Sequence, residues 1–133
     1  MRRFRKRAEG AEGRASHGVD EIRHNRSGDA VLLRLSGMLI TGVREFDIVG
    51  RYGGEEFVII LPETALAATC EVAERLRTLV SNTFENTNVP KITVSIGVAS
   101  CQPETPNLDA LVQIADVAMY AAKKSGGNRV MLV

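Results

Sequence analysis

The stretch Arg51-Tyr52-Gly53-Gly54-Glu55-Glu56-Phe57, running straight into Val58-Ile59-Ile60-Leu61, decides how this chain is read. Two adjacent glycines suit a tight hairpin turn and let another molecule approach the main chain. The apolar run behind them reads as a buried strand. Two neighbouring carboxylates, Glu55 and Glu56, repel one another unless a cation lies between them. Acid at a glycine tip that feeds a strand therefore points to a divalent metal carrying a phosphorylated ligand. The same seven residues are more commonly a solvated surface turn, so composition alone leaves both uses open.

Working outward, Ile48 and Val49 supply the first strand of the hairpin, and Pro62 closes the second because it has no N–H to give to a ladder. Upstream, Val31, Leu32, Leu35, Met38 and Leu39 recur at helical spacing, which predicts a helix capped by Asp29 and stopped near Gly42. Downstream, Leu66, Cys70, Ala73, Leu76 and Val80 predict a long amphipathic helix over about residues 65 to 84, with Thr64 as its cap. Residues 91 to 100 alternate, with Ile92, Val94, Ile96 and Val98 on one face and small residues on the other, as in a strand that leaves room for a helix. Leu108, Leu111, Val112, Ala115, Met119 and Ala122 predict a further helix ending at Gly126-Gly127, and residues 130 to 133 a last short strand. This order is that of an α/β (α+β) sandwich, with a mostly antiparallel central sheet flanked by helices.

At 133 residues, 44% of them hydrophobic, the chain suits one domain with a respectable core. Only Cys70 and Cys101 occur, without metal-ligand spacing; no signal-peptide pattern opens the chain and no apolar run approaches membrane-spanning length. Cytoplasmic residence without membrane insertion is the expectation. The net charge of +1 is uneven: residues 1 to 14 hold six basic against two acidic residues, and the rest 11 basic against 14 acidic. Residues 1 to 18 show neither period and are expected to be a basic, irregular arm, with 19 to 133 as the folded domain. No aromatic platform accompanies the arm, which argues against a dedicated nucleic-acid role.

Four motifs in register resemble the GGDEF family of diguanylate cyclase domains. They are the turn and strand Arg51 to Thr64, Thr93-Val94-Ser95-Ile96-Gly97-Val98 against the family's TVSIGV, Ala115 to Lys123 against ADxAMYxAK, and Gly28-Asp29-Ala30-Val31-Leu32 against GDxVL. The resemblance implies a nucleotide-cyclase-like fold and a bacterial signalling transferase that, as a homodimer, joins two GTP molecules into cyclic di-GMP with Mg²⁺ or Mn²⁺. It implies that Glu55 and Glu56 hold metal and that Glu55 helps activate the ribose hydroxyl. Gly53 and Gly54 would admit the nucleotide, Asp29 would accept from the guanine edge, and Lys123 would contact the terminal phosphates, with Arg51 in a similar role. Arg44-Glu45-Phe46-Asp47, five residues before Gly53, resembles the family's RxxD inhibitory site for its product, to which Arg75 would add a second guanidinium.

The opening departs from the family, which begins with an apolar strand, a metal-binding aspartate and an FKxxND segment. Counting back without gaps from Gly28-Asp29 puts Asp20 in place of the guanine-contacting asparagine, His17 in place of the lysine and Glu12 in place of the metal-binding aspartate. A carboxylate offers guanine only acceptors where an amide offers both kinds of group. Arg5-Lys6-Arg7-Ala8-Glu9-Gly10 lacks the residues of a buried strand, so the first family strand is expected to be missing or altered. Gly126-Gly127-Asn128 also replaces the family's GRN. These changes lower the expected turnover and raise an alternative, a catalytically inactive module that binds cyclic di-GMP through the RxxD site.

Overall fold

The Gly53-Gly54 turn joins β2 (Ile48–Gly53) to β3 (Glu56–Ile60), and the hairpin forms one side of a five-stranded sheet. The computed structural model describes residues 13–17, 26–84 and 91–132, with side chains from residue 30 onward within those ranges. The other elements are β1 (Gly13–His17), α1 (Arg26–Thr41), α2 (Leu66–Phe84), β4 (Val94–Val98), α3 (Leu108–Lys124) and β5 (Val130–Leu132). The sheet order is β2-β3-β1-β4-β5, antiparallel throughout except for the parallel β4–β5 pair. Among the described residues, no helix is long and apolar enough to cross a membrane.

The alternation of β3 and β4 assigns the helices to their faces. Phe57, Ile59, Ile96 and Val98 pack with Val31, Leu35 and Leu39 of α1 and Leu76, Val80 and Phe84 of α2. On the other face, Val58 and Ile60 meet Val112 of α3, with Ile48 beside them. Both faces of β3 and β4 are thus covered, and Leu35, Val58 and Val80 are wholly buried. Burial of side chains of this size contributes roughly 1.5–3 kcal/mol each.

Residues 1 to 18 were expected to be irregular, yet Gly13–His17 is the central strand, paired to β3 on one side and β4 on the other. Gly13-Arg14-Ala15-Ser16-His17 carries no apolar alternation, because its place is set by its neighbours. Without it, the facing edges of β3 and β4 would leave rows of N–H and C=O groups unpaired beneath the helices. The first strand is therefore present with an altered sequence. Gly13 pairs with Ile59 and Ser16 with Glu56, so it is the His17 end that approaches the acidic turn. Glu12 and Asp20 lie outside the described residues.

Two caps differ from expectation. α1 begins at Arg26, which places Asp29 inside its first turn instead of at its cap. The Thr64 hydroxyl donates to the Pro62 carbonyl at 3.0 Å and accepts from Arg44 at 2.6 Å, so it braces the turn before α2. α3 shows how its sequence sets its ends. Asn107 Oδ1 accepts from the Ala110 N–H, Asp109 stands in the first turn, and Lys123 and Lys124 stand in the last. Acid at the start and base at the end complement the helix dipole.

Candidate functional site

Two elements converge on one concavity. The strand after the turn contributes Glu56, and one side of α3 contributes Asp116, Val117, Met119, Tyr120 and Lys123, around a cavity of about 420 Å³. The helical residues stand at i, i+1, i+3, i+4 and i+7, one side of the helix. Glu56 is half-buried and Lys123 exposed, so an acid and an ammonium face the same open space.

The turn is built differently from a left-handed glycine turn. Among the described residues only Gly126, Gly127, Glu63 and Asn128 have positive φ, so neither Gly53 nor Gly54 uses the freedom that glycine alone enjoys. Their use is space: a Cβ on Gly54 would meet nothing within 4 Å, and one on Gly53 would meet only Glu56 Oε2 at 3.9 Å. Gly54 and Glu55 form the two-residue loop between the paired Gly53 and Glu56. A bulge at Tyr52 shifts the register, and Arg51 Nε donates across it to the Gly54 carbonyl at 2.7 Å. Arg51 thus braces the turn. Glu55 is half-buried, with Oε2 shielded from solvent.

Adjacent Glu55 and Glu56 offer only oxygen donors, and Glu56 reaches the open cavity, a donor set suited to a hard divalent cation. Mg²⁺ in particular takes one or two carboxylates and completes its shell with phosphate oxygens and water. Among the described residues no group of three or more His, Cys, Asp or Glu side chains is assembled to hold an ion by itself. Of the two carboxylates, Glu56 lines the cavity, and Glu55 stands in the adjoining loop with Oε2 shielded from solvent.

The RxxD segment is a preformed loop. Asp47, 4% exposed, accepts from the Arg44 backbone N–H at 2.8 Å and from Arg44 Nε and one terminal nitrogen at 3.1 Å each. The Arg44 guanidinium also lies over the exposed Phe46 ring, 4.5 Å from its centroid. Arg75 of α2 donates to the Gly42 carbonyl at 2.7 Å, which brings it to the loop that carries Arg44. Asp47 and Thr64 thus hold one edge of the Arg44 guanidinium, and Phe46 covers one of its faces.

Of the residues singled out in the sequence, Glu56 and Lys123 line one cavity, Arg44 and Asp47 pair with one another, and Arg75 bonds the nearby Gly42 carbonyl. Asp116 escaped the sequence reading although its spacing from Met119, Tyr120 and Lys123 marks one helix face. Arg77 escaped it too: it donates to Asn128 Oδ1 at 2.8 Å, and its partner stands 51 residues away.

The sequence pattern of the GGDEF diguanylate cyclase domain matches residues 24–129. The chain is similar to the response regulator PleD of Caulobacter vibrioides, with 42% identity over 108 residues that cover 78% of this chain and 24% of PleD. It is also similar to the diguanylate cyclase DgcM of Escherichia coli, with 38% identity over 113 residues, 85% of this chain and 27% of DgcM. The chain spans about a quarter of the length of these relatives. Among solved structures, the coiled coil and GGDEF domain of DgcB from Caulobacter crescentus in complex with c-di-GMP superposes with a TM-score of 0.81 at 25% identity, covering 91% of this chain and 68% of that one. The active GGEEF domain of a diguanylate cyclase from Vibrio cholerae gives 0.80 at 25% identity, covering 90% and 81%.

Proposed function

Because this chain belongs to the GGDEF family of diguanylate cyclase domains, we propose that it binds one GTP beside the Gly53-Gly54 turn and, facing a second copy, condenses two GTP molecules into cyclic di-GMP. The observation that carries this reading is the meeting of Glu56 and Lys123, 67 residues apart in the chain, on one concavity. An acid able to share a cation with phosphate oxygens and an ammonium able to offset phosphate charge are what nucleotidyl transfer requires.

In this reading Asp29, in the first turn of α1, accepts from the N1–H and N2–H₂ donors of guanine. Lys123 meets the terminal phosphates, and the bare Gly53-Gly54 backbone lets the triphosphate lie close. Glu55 takes the proton of the ribose 3′-hydroxyl as its oxygen bonds to the partner's α-phosphorus, the α–β bridge breaks and pyrophosphate leaves. A divalent cation held by Glu55 and Glu56, when bound, neutralises the charge that gathers on the phosphates. Arg51 fixes the turn that presents both acids.

A second reading is favoured by the preformed Arg44–Asp47 loop, with Arg75 close by: the domain holds cyclic di-GMP there, as product inhibitor or as sole ligand. One experiment separates the two. The purified chain is incubated with GTP and Mg²⁺, cyclic di-GMP is quantified, and the dinucleotide is titrated separately. Turnover abolished by Glu55→Ala supports the cyclase. An inert chain whose dinucleotide binding is lost in Arg44→Ala supports the binding module, and absence of both turnover and binding sinks both readings.

A further inference from the structure

The end of α3 is closed by three consecutive residues of positive φ, Gly126 at 115°, Gly127 at 71° and Asn128 at 49°. The Gly126 N–H donates to the Lys123 carbonyl and the Gly127 N–H to the Ala122 carbonyl, the paired bonds of a Schellman motif. Asparagine tolerates the left-handed region better than most residues. The Asn128 side chain is tied to the neighbouring helix α2 by Arg77, whose terminal nitrogen donates to Asn128 Oδ1 at 2.8 Å. Arg77 is aimed by Glu74 on its own helix, which accepts from Nε at 2.9 Å and from the other terminal nitrogen. One residue further on, the Arg129 carbonyl accepts from the Ile96 N–H and fixes the segment to β4. The turn after Lys123 is therefore braced from within by Arg129 Nε, which donates to the Gly127 carbonyl at 3.2 Å, fixed to the sheet through β4, and tied to α2 through Arg77.

We infer that Arg77 is a positioning residue for the phosphate-facing end of α3: through Asn128 it fixes the turn that sets where Lys123 enters the cavity shared with Glu56. The inference rests on the reading of that cavity as a GTP site. A helix end held at the sheet and released on the α2 side frays, and the ammonium on its last turn then samples positions in which it no longer opposes the terminal phosphates. Displacements of this size cost binding far more than they cost fold, since an ion held about 1 Å out of place loses much of its effect. A purely structural Arg77 would instead lower stability and leave ligand discrimination untouched.

The test uses the whole chain and four variants: Arg77→Ala, Arg77→Lys, Asn128→Gly, which removes the acceptor while keeping a backbone that accepts positive φ, and the double variant of Arg77→Ala with Asn128→Gly. Affinity is measured for GTP, for GMP and for cyclic di-GMP, and amide hydrogen exchange is followed over residues 121–128. Arg77→Ala and Asn128→Gly are each expected to weaken GTP about tenfold, to leave GMP and cyclic di-GMP unchanged, and to speed exchange over 121–128. The double variant is expected to be no worse than either single one, and Arg77→Lys, which cannot hold Glu74 and Asn128 together, to fall between. Unchanged GTP affinity or unchanged exchange in Arg77→Ala overturns the inference, as does equal weakening of all three ligands. A wild-type chain that binds no GTP overturns the substrate reading itself, and the exchange data then still decide whether Arg77 holds the end of α3.

Discussion

Gly97 of β4 lies directly against Ala115 of α3: a Cβ at residue 97 would stand 2.0 Å from the Ala115 carbonyl oxygen and 2.4 Å from the Met119 nitrogen. Those are backbone atoms, so no side chain can swing aside. Gly97→Ala is expected to push α3 off the sheet and to cost about 3 kcal/mol or more. Denaturant titration checks this, with a lower midpoint and an unchanged slope as the expected result. Because α3 also carries Lys123, nucleotide affinity should fall with it, and a variant of full stability would show that the helix is free to move.

The cavity makes a separable demand on charge. Glu56→Gln keeps the shape of the side chain and removes its charge, and should lower the rate of cyclic di-GMP formation by about 100-fold or more. Lys123→Ala should act mainly through KM, raising it about tenfold, since an ammonium on terminal phosphates binds the ground state as well as the transition state. Steady-state kinetics at saturating Mg²⁺ distinguish the two patterns. Wild-type parameters in both variants would remove the cavity from the reaction.

Asp47 has two duties in its loop. Its carboxylate accepts from the Arg44 backbone and from Nε and one terminal nitrogen of the guanidinium, in a nearly solvent-free position. Asp47→Ala should therefore cost about 1–3 kcal/mol of stability and abolish cyclic di-GMP binding together. Arg44→Ala should abolish binding and also lower stability, because it takes two hydrogen bonds from the buried Asp47 carboxylate. Calorimetric titration alongside thermal unfolding reads both quantities.

Acid should loosen the contact between α2 and the end of α3. The hydrogen bond from Arg77 holds the Glu74 carboxyl below its ordinary value of 4.5, with the Arg77 charge adding to the effect and burial opposing it. A carboxyl lowered on folding adds stability above its unfolded pKa and loses it as pH falls through the folded one. The advantage of wild type over Glu74→Gln should thus be constant near neutrality and vanish as pH drops below the usual carboxylate range. Since Glu74 is an exposed partner, the difference will be small. A difference that grew in acid would contradict the assignment.

Most of the architecture was legible because it is written in burial. Val94, Ile96 and Val98 alternate because one face of β4 meets α1 and α2, and the apolar stripe of α3 stops where Gly126 and Gly127 turn the chain. Glu55, Glu56 and Lys123 were legible only through resemblance, since an acid pair at a turn and a lysine at a helix end have ordinary uses. β1 was illegible: Gly13 to His17 owe their place to backbone pairing, which any residue but proline can supply. Thr64 read as a cap because its competing partner, Arg44, lies 20 residues earlier. Arg77 was missed for the same kind of reason, as its partner Asn128 lies 51 residues away.

The position of β1 also bears on how the sheet is assembled. Its two neighbours, β3 and β4, are separated from it by about 40 and 80 residues of chain, so the middle of the sheet is the part with the longest loops to close. The β2–β3 hairpin and the helices can form from nearby contacts as the polypeptide leaves the ribosome. Until β4 has been synthesised, β1 has a partner on one side only. Folding of this domain should accordingly be a late and cooperative event, with an exposed strand edge waiting in the interval, the condition under which nascent chains most need chaperones.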